Sequence, residues 1–297
     1  MLETNLPMEA HVTLTEPAPA KAAASAPIAP ASRGSFPSEA ARERIATVLL
    51  PVLATAFLCC LWFLYSRVEG VSLPGPDRVL TESKQLILEP FYDNGDIDVG
   101  IGWQLASSLK RVAMGYGLAV VFGVGLGLMI GSVKTLHKAF DPIFQVLRTI
   151  PPLAWLPIAL ATFNQATPSA IFVIFVTAIW PILLNTAAGV QNIPKDYVQV
   201  AQVYRVRGFR YFRLILLPAT APFLFTGLRI GIGLAWLAIV AAEMLTGGVG
   251  IGFFLWDCWN AGRLSDIFVA VASIGLVGLV LDRAVAAIGN LVGARPA

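Results

Sequence analysis

The chain has 297 residues, of which 57% are apolar and only 13% charged, and its mean hydropathy is +0.73. A soluble globular domain carries charge on about 25% of its residues, so this composition excludes that class and points to an integral membrane protein. The formal net charge of +3 fits basic residues gathered on one side of a membrane and excludes nucleic-acid binding, which needs a much denser basic surface.

Residues 1–44 are rich in Ala, Pro, Ser and Glu and contain no apolar run, so they are expected to form a disordered tail. They lack the basic start, apolar middle and small-residue cleavage site of a signal peptide. From residue 45 onward, stretches of about 20 apolar residues, each able to cross a hydrocarbon core about 30 Å thick, recur over 45–66, 112–132, 142–163, 168–189, 219–242 and 265–290. The expected fold is therefore an all-α integral membrane protein with six transmembrane helices. Cys59, Cys60 and Cys258 have neither a metal spacing nor a disulfide framework.

The segment 67–111 carries Glu69, Asp77, Glu82, Glu89, Asp93, Asp96 and Asp98 against five basic residues, which places it outside. Turn chemistry at Pro74-Gly75-Pro76 leads into a stretch with Val79, Leu80, Ile87 and Leu88 among polar residues, expected as a helix along the outer interface. The acidic DNGDID that follows lacks the final Glu of a calcium loop and reads as a solvated turn. Trp103, Trp256 and Trp259 are expected as interfacial anchors.

In the second span, Gly115, Ala119, Gly123, Gly127 and Gly131 recur every four residues and leave one helix face almost bare, so a neighbouring helix can pack closely. The glycines do not form a nucleotide loop, because no Lys-Ser or Lys-Thr follows them. In the third span, Pro151, Pro152 and Pro157 remove backbone donors. The result is either a packing kink or a broken helix beside a translocation path.

Between the fourth and fifth spans, the loop 190–218 carries Lys195, Arg205, Arg207, Arg210 and Arg213 against Asp196. That basic excess places it in the cytoplasm, with Lys134, Lys138 and both termini on the same side, and its length and order suggest a docking surface. Charges inside spans are functional suspects, since burying one costs at least about 2.5 kcal/mol. Arg229 lies about 15 Å into the fifth span at about 1.5 Å per residue, close to the midplane, and Arg148 lies near the inner end of the third. Each guanidinium either satisfies helix-end carbonyls or an internal acid, or snorkels to the interface, or offers its planar fork to a passing oxyanion. His11 and His137 read as solvated residues. No phosphate-binding loop, metal cluster or nucleophile with its base is present, so this chain is not expected to hydrolyse ATP or to bind a cofactor or metal.

The loop resembles the docking loop of the membrane subunits of ABC importers, whose pattern is E-A-A-x3-G-x9-I-x-L-P. With Ile215, Leu217 and Pro218 as anchors, the pattern falls on Gln199, Val200, Ala201 and Arg205, so Gln stands for Glu, Val for the first Ala and Arg for Gly. The stretches LPGP, EPFYDNG, GIGWQLASSLKRVAMGY, DPIFQVLRTIPPLAWLPIAL, IWPILLNTAAGVQNIP and GIGFFLWDCWN together resemble the nitrate-type branch.

The resemblance implies a type I importer permease over 45–295 that takes up nitrate or nitrite. Bicarbonate, cyanate and sulfonates such as taurine are the alternatives. It further implies docking of a cytosolic ATPase through Asp196, Gln199, Ala201, Gln202, Arg205, Arg207, Gly208 and Arg210, with ATP and Mg bound in that partner. A second permease copy, most simply an identical one, an extracytoplasmic binding protein and the inner membrane complete the implied assembly. A secondary transporter fits poorly, because the chain has no evident inverted repeat, and a channel would have no need of the loop.

Overall fold

A computed structural model describes residues 39–70, 72–95 and 97–292. The expected tail falls outside the described residues up to 38, as do Asp96 and Arg295. The chain divides into two compact units, Met1–Ala56 and Phe57–Ala297. The described part of the first unit is helical and belongs to α1 (Glu39–Tyr65), so helix begins before the expected start at 45.

Among the described residues of the second unit, the regular structure is helical apart from one isolated bridge, Asp93 to Val99. After α1 come the short helices α2 (Pro76–Glu82) and α3 (Lys84–Leu88), then α4 (Ile101–Ser132), which starts earlier than the expected 112. The interfacial helix expected as one piece is divided at Ser83, whose hydroxyl donates to Asp266 Oδ1 at 2.6 Å. The acidic turn uses its own carboxylates: Asp93 Oδ1 accepts Gly95 N–H, and Asp98 Oδ2 accepts the Asn94 amide, both at 3.0 Å.

Next are α5 (Lys134–Leu147), which turns the expected inner loop around His137 into helix, a 3-10 turn (Pro152–Trp155) and α6 (Leu156–Phe163). They are followed by α7 (Ala166–Gln191), α8 (Lys195–Val203), α9 (Gly208–Tyr211), a π turn (Phe212–Leu216), α10 (Leu217–Thr246), α11 (Ile251–Asn260) and α12 (Leu264–Leu291).

Helix α7 is the centre of the unit, with α4 along one side and α10 along the other. The glycine face of α4 works as its spacing suggested. A β-carbon at Gly115 would lie 2.7 Å from Ile174 Cβ, and one at Gly127 would lie 2.7 Å from Thr186 Cβ. Backbone-to-backbone approach of this kind replaces the hydrophobic drive that lipid removes, leaving dispersion to hold the helices together. The side chains of α12 at Leu276, Leu279 and Val280 are exposed and apolar, as a lipid-facing surface requires.

Among the described residues, four helices, Ile101–Ser132, Ala166–Gln191, Gly208–Thr246 and Leu264–Leu291, are long and apolar enough to cross a membrane. The third expected span is not one straight helix: α5 and the Pro152–Phe163 segment meet at 94°, and count as a fifth crossing only if taken together. Pro151 precedes Pro152 and is therefore pushed out of the helical region, to ψ 136, so the proline pair sets the bend. The sixth expected crossing falls on α1, whose described apolar part, Leu49–Tyr65, is shorter than the other four.

Candidate functional site

The expected docking residues come together on one short helix and the turn behind it. Helix α8 carries Asp196 in its first turn, where a carboxylate suits the positive end of the helix. Gln199 and Gln202 are exposed on it, whereas Ala201 is 3% exposed and packs inward. The helix closes in a Schellman arrangement: Val206 N–H donates to Ala201 O at 2.8 Å, and Arg205 N–H donates to Gln202 O at 3.1 Å.

This motif needs a left-handed residue just past the helix end, and Arg205 supplies it at φ +52. The departure from the family pattern thus has a clear physical meaning. Gly in the pattern provides a left-handed conformation without strain, and Arg205 adopts the same conformation at a cost of roughly 1–2 kcal/mol. Gly208, at φ +59, makes a second left-handed turn into α9.

Arg205, Arg207 and Arg210 are exposed, and among the described residues none of their guanidinium groups has a hydrogen bond or ion pair. Tyr204 and Phe209, each 76% exposed, stand beside them. Reading by charge missed these two, although aromatics within a polar loop are a recognisable sign of a contact surface, since exposed aromatics and arginines dominate interface energetics.

The two suspect arginines of the spans differ. Arg229 on α10 meets Asp282 on α12 through two bonds, Nε to Oδ1 at 3.0 Å and Nη2 to Oδ2 at 2.8 Å. The fork expected to serve an oxyanion is therefore engaged by an internal acid, beside a cavity of about 440 Å³ lined by Thr226, Phe225 and Asn290 among others. Asp282 was missed in the sequence, but an acid so far along an apolar helix called for a cationic partner.

Arg148 caps α5 at the bend and lines a different cavity, of about 480 Å³, between the bend, α7 and α10. Its guanidinium has no partner among the described residues. The structure therefore does not bring Arg148 and Arg229 into one cavity, although Ile230 lines both.

At the far end of α10 lies a polar cluster that the sequence reading did not find. Glu243, 1% exposed, accepts from Arg111 Nη1 at 2.6 Å, from Ser108 Oγ at 2.7 Å and from Gly252 N–H at 3.1 Å. Gln104 Oε1 accepts Gly250 N–H at 2.6 Å, and Arg111 also donates to Val249 O at 2.9 Å. The turn between α10 and α11 is thereby clasped onto α4. The approach is so close that a β-carbon on Gly252 would lie 2.1 Å from Val240 O. An acid inside an apolar stretch, followed by Gly247-Gly248-Val249-Gly250, was the available signal. Cys258 sits nearby on α11, where burial pushes its thiol up to about 12, so it stays protonated at neutral pH.

A helical unit with a projecting helix-turn surface at one end of its longest span, and polar groups along its interior, has the parts of a transport subunit. Residues 119–295 match the family described as binding-protein-dependent transport system inner membrane component. The chain belongs to that family. It is an ABC transporter permease, a transport subunit with transmembrane helices. A nitrate import permease protein, NrtB, of Synechocystis is 56% identical to it over 245 residues, covering 82% of this chain and 89% of the relative. A bicarbonate transport system permease protein, CmpB, of Synechococcus elongatus is 49% identical over 248 residues, covering 82% of this chain and 89% of the relative. An inward-facing structure of the MetNI methionine ABC transporter matches with a TM-score of 0.56 at 16% identity, over 62% of this chain and 92% of that chain. The permease shares that fold.

Proposed function

We propose that this permease carries a small inorganic anion, nitrate or nitrite, inward across the inner membrane, driven by ATP hydrolysis in cytosolic partner subunits. The observation that carries the reading is the turn behind α8: a helix end closed by its own backbone, three unpartnered arginines and two exposed aromatic rings. Such a surface is built to be covered by another protein.

In this reading six spans cross the membrane, with both termini and the docking loop in the cytoplasm. Two copies of the chain form the pathway, and each loop seats α8, with Asp196, Gln199, Gln202, Arg205, Arg207, Gly208 and Arg210, in a cleft of an ATPase that holds ATP and Mg. Closure of the ATPases draws the loops together, and α4, α7 and α10, packed through glycine, tilt as one body. An extracytoplasmic binding protein then delivers the anion into the opened path.

Nitrate is favoured by the 56% identity to a nitrate import permease, and bicarbonate is the second reading because a bicarbonate permease stands at 49%. The test is uptake by proteoliposomes containing the permease, its ATPase subunits and the binding protein, with labelled nitrate, nitrite, bicarbonate and taurine each supplied in turn. ATP-dependent accumulation of nitrate or nitrite alone is the expected result. Accumulation of bicarbonate or taurine instead would move the permease to another branch, and a failure of any ATPase to assemble would overturn the importer reading.

A further inference from the structure

We infer that the cavity at the bend between α5 and α6 is the transient oxyanion site of the membrane path, with Arg148 as its charge and the indole N–H groups of Trp155 and Trp180 as its neutral donors. This rests on the importer reading above and specifies where in the chain the anion stops.

The cavity lies beside the middle of two long helices, since Thr177 and Trp180 are central in α7 and Ile230 and Leu234 are central in α10. Its volume of about 480 Å³ compares with about 30 Å³ for one water, so a small anion enters with part of its hydration shell. Among the described residues no carboxylate lines it. This is the difference from the neighbouring cavity, where Asp282 both engages Arg229 and places a negative charge in the wall. An anion approaching Arg229 meets a neutral pair, whereas one approaching Arg148 meets an uncompensated cation.

The donors tell the same story. The indole N–H groups of Trp62, Trp103 and Trp236 donate to the carbonyls of Pro74, Phe91 and Ile274 at 3.2, 3.1 and 3.0 Å. Those of Trp155 and Trp180 have no acceptor among the described residues, although both rings line this cavity and are half-buried. An indole is a donor only, and a half-buried one usually has an acceptor.

The other polar side chains turn their donors away. Thr149 and Thr177 donate to the carbonyls of Val146 and Val173 at 2.7 and 2.6 Å, and the Asn185 amide donates to Pro181 O at 2.8 Å. Guanidinium and indole N–H together suit a small monovalent oxyanion. Asn185 also lines the cavity and keeps an acceptor oxygen, and an acceptor in the wall tempers the field, which suits a site that must also release its ion.

The test uses the complete complex in proteoliposomes, with the binding protein loaded with nitrate. Arg148→Gln is expected to lower the number of nitrate ions moved per ATP hydrolysed at least tenfold, and Arg148→Lys to restore part of that ratio. Trp155→Phe combined with Trp180→Phe, which keeps ring volume and removes both donors, is expected to lower it severalfold. Trp103→Phe, on the surface, leaves it unchanged. A variant that merely folds badly loses transport and assembly together, which co-purification of the ATPase detects.

An assembled Arg148→Gln complex with the wild-type ratio would overturn the proposal. If the wild-type complex carries bicarbonate and not nitrate, the same variants are read on bicarbonate: the substrate reading falls, and the site stands or falls on that ratio. If the wild-type complex carries no oxyanion, the site falls with the importer.

Discussion

At one end of α10, Glu243 is buried and its carboxylate is met by Arg111, Ser108 and the Gly252 amide. At the other end, the turn leading into the helix exposes three guanidinium groups and two aromatic rings, of which Phe209 stacks on Phe212 and still remains 76% exposed. Polar groups saturated within the chain make a joint, because any motion that opens them strands a buried charge. Polar groups left open are met by water, and exposed aromatic rings among them leave a surface that another molecule can cover. On the importer reading proposed above, one helix joins a locked end to an end offered for contact, the arrangement a lever needs if a partner is to push on one end and move the other.

The largest test of the locked end is Arg111→Ala, which leaves the Glu243 carboxylate buried without its cation. We expect a loss of about 3–5 kcal/mol, read as a lowered denaturation midpoint of the solubilised permease. A loss below about 1 kcal/mol would mean that water already reaches the carboxylate and that the joint is open. Glu243→Gln with Arg111 intact should fall between the two, because the amide keeps one acceptor for Ser108 or Gly252.

The middle of the helix offers the next test. Arg229 and Asp282 are 45% and 35% exposed within the chain, so their pair stands at the wall of a cavity rather than in the packed interior. Removing Arg229 alone leaves an acid without its cation in the wall of that cavity. Arg229→Leu should lower nitrate uptake severalfold, and Arg229→Leu with Asp282→Leu should return it to within about twofold of wild type, a residual of about 0.4 kcal/mol. A double variant as impaired as the single one would show that Arg229 acts on the anion directly.

The smallest effect is conformational. Arg205→Gly removes the strain of a left-handed arginine and should slow amide exchange at Val206 about fivefold, equivalent to about 1 kcal/mol. Faster exchange would mean that the guanidinium itself holds the turn.

Much of the helical body could be read from apolar run lengths, and the glycine face of α4 from its four-residue period, because both are local signals. The 94° bend was half legible: the proline pair announced a break, but the angle depends on packing against α7. Gly at the Arg205 position of the family pattern implied a left-handed turn, and the structure supplies it with an arginine. Neither the Arg229–Asp282 pair nor the Arg111–Glu243 clasp was foreseen, since each joins residues 53 and 132 positions apart. Each acid nevertheless lies in a stretch where an unpaired charge could not persist. Tyr204 and Phe209 were passed over because the loop was weighed by its charges alone.

The most direct test of the open end is Arg205→Glu combined with Arg207→Glu in the full complex, with ATP hydrolysis and nitrate uptake measured in the same proteoliposomes. Both residues lie on the exposed turn, away from either central cavity. The expected result is a permease that inserts and purifies normally, with ATPase subunits that bind poorly or hydrolyse ATP without driving uptake. Wild-type uptake per ATP in that variant would contradict it and return the loop to an ordinary connection between two spans.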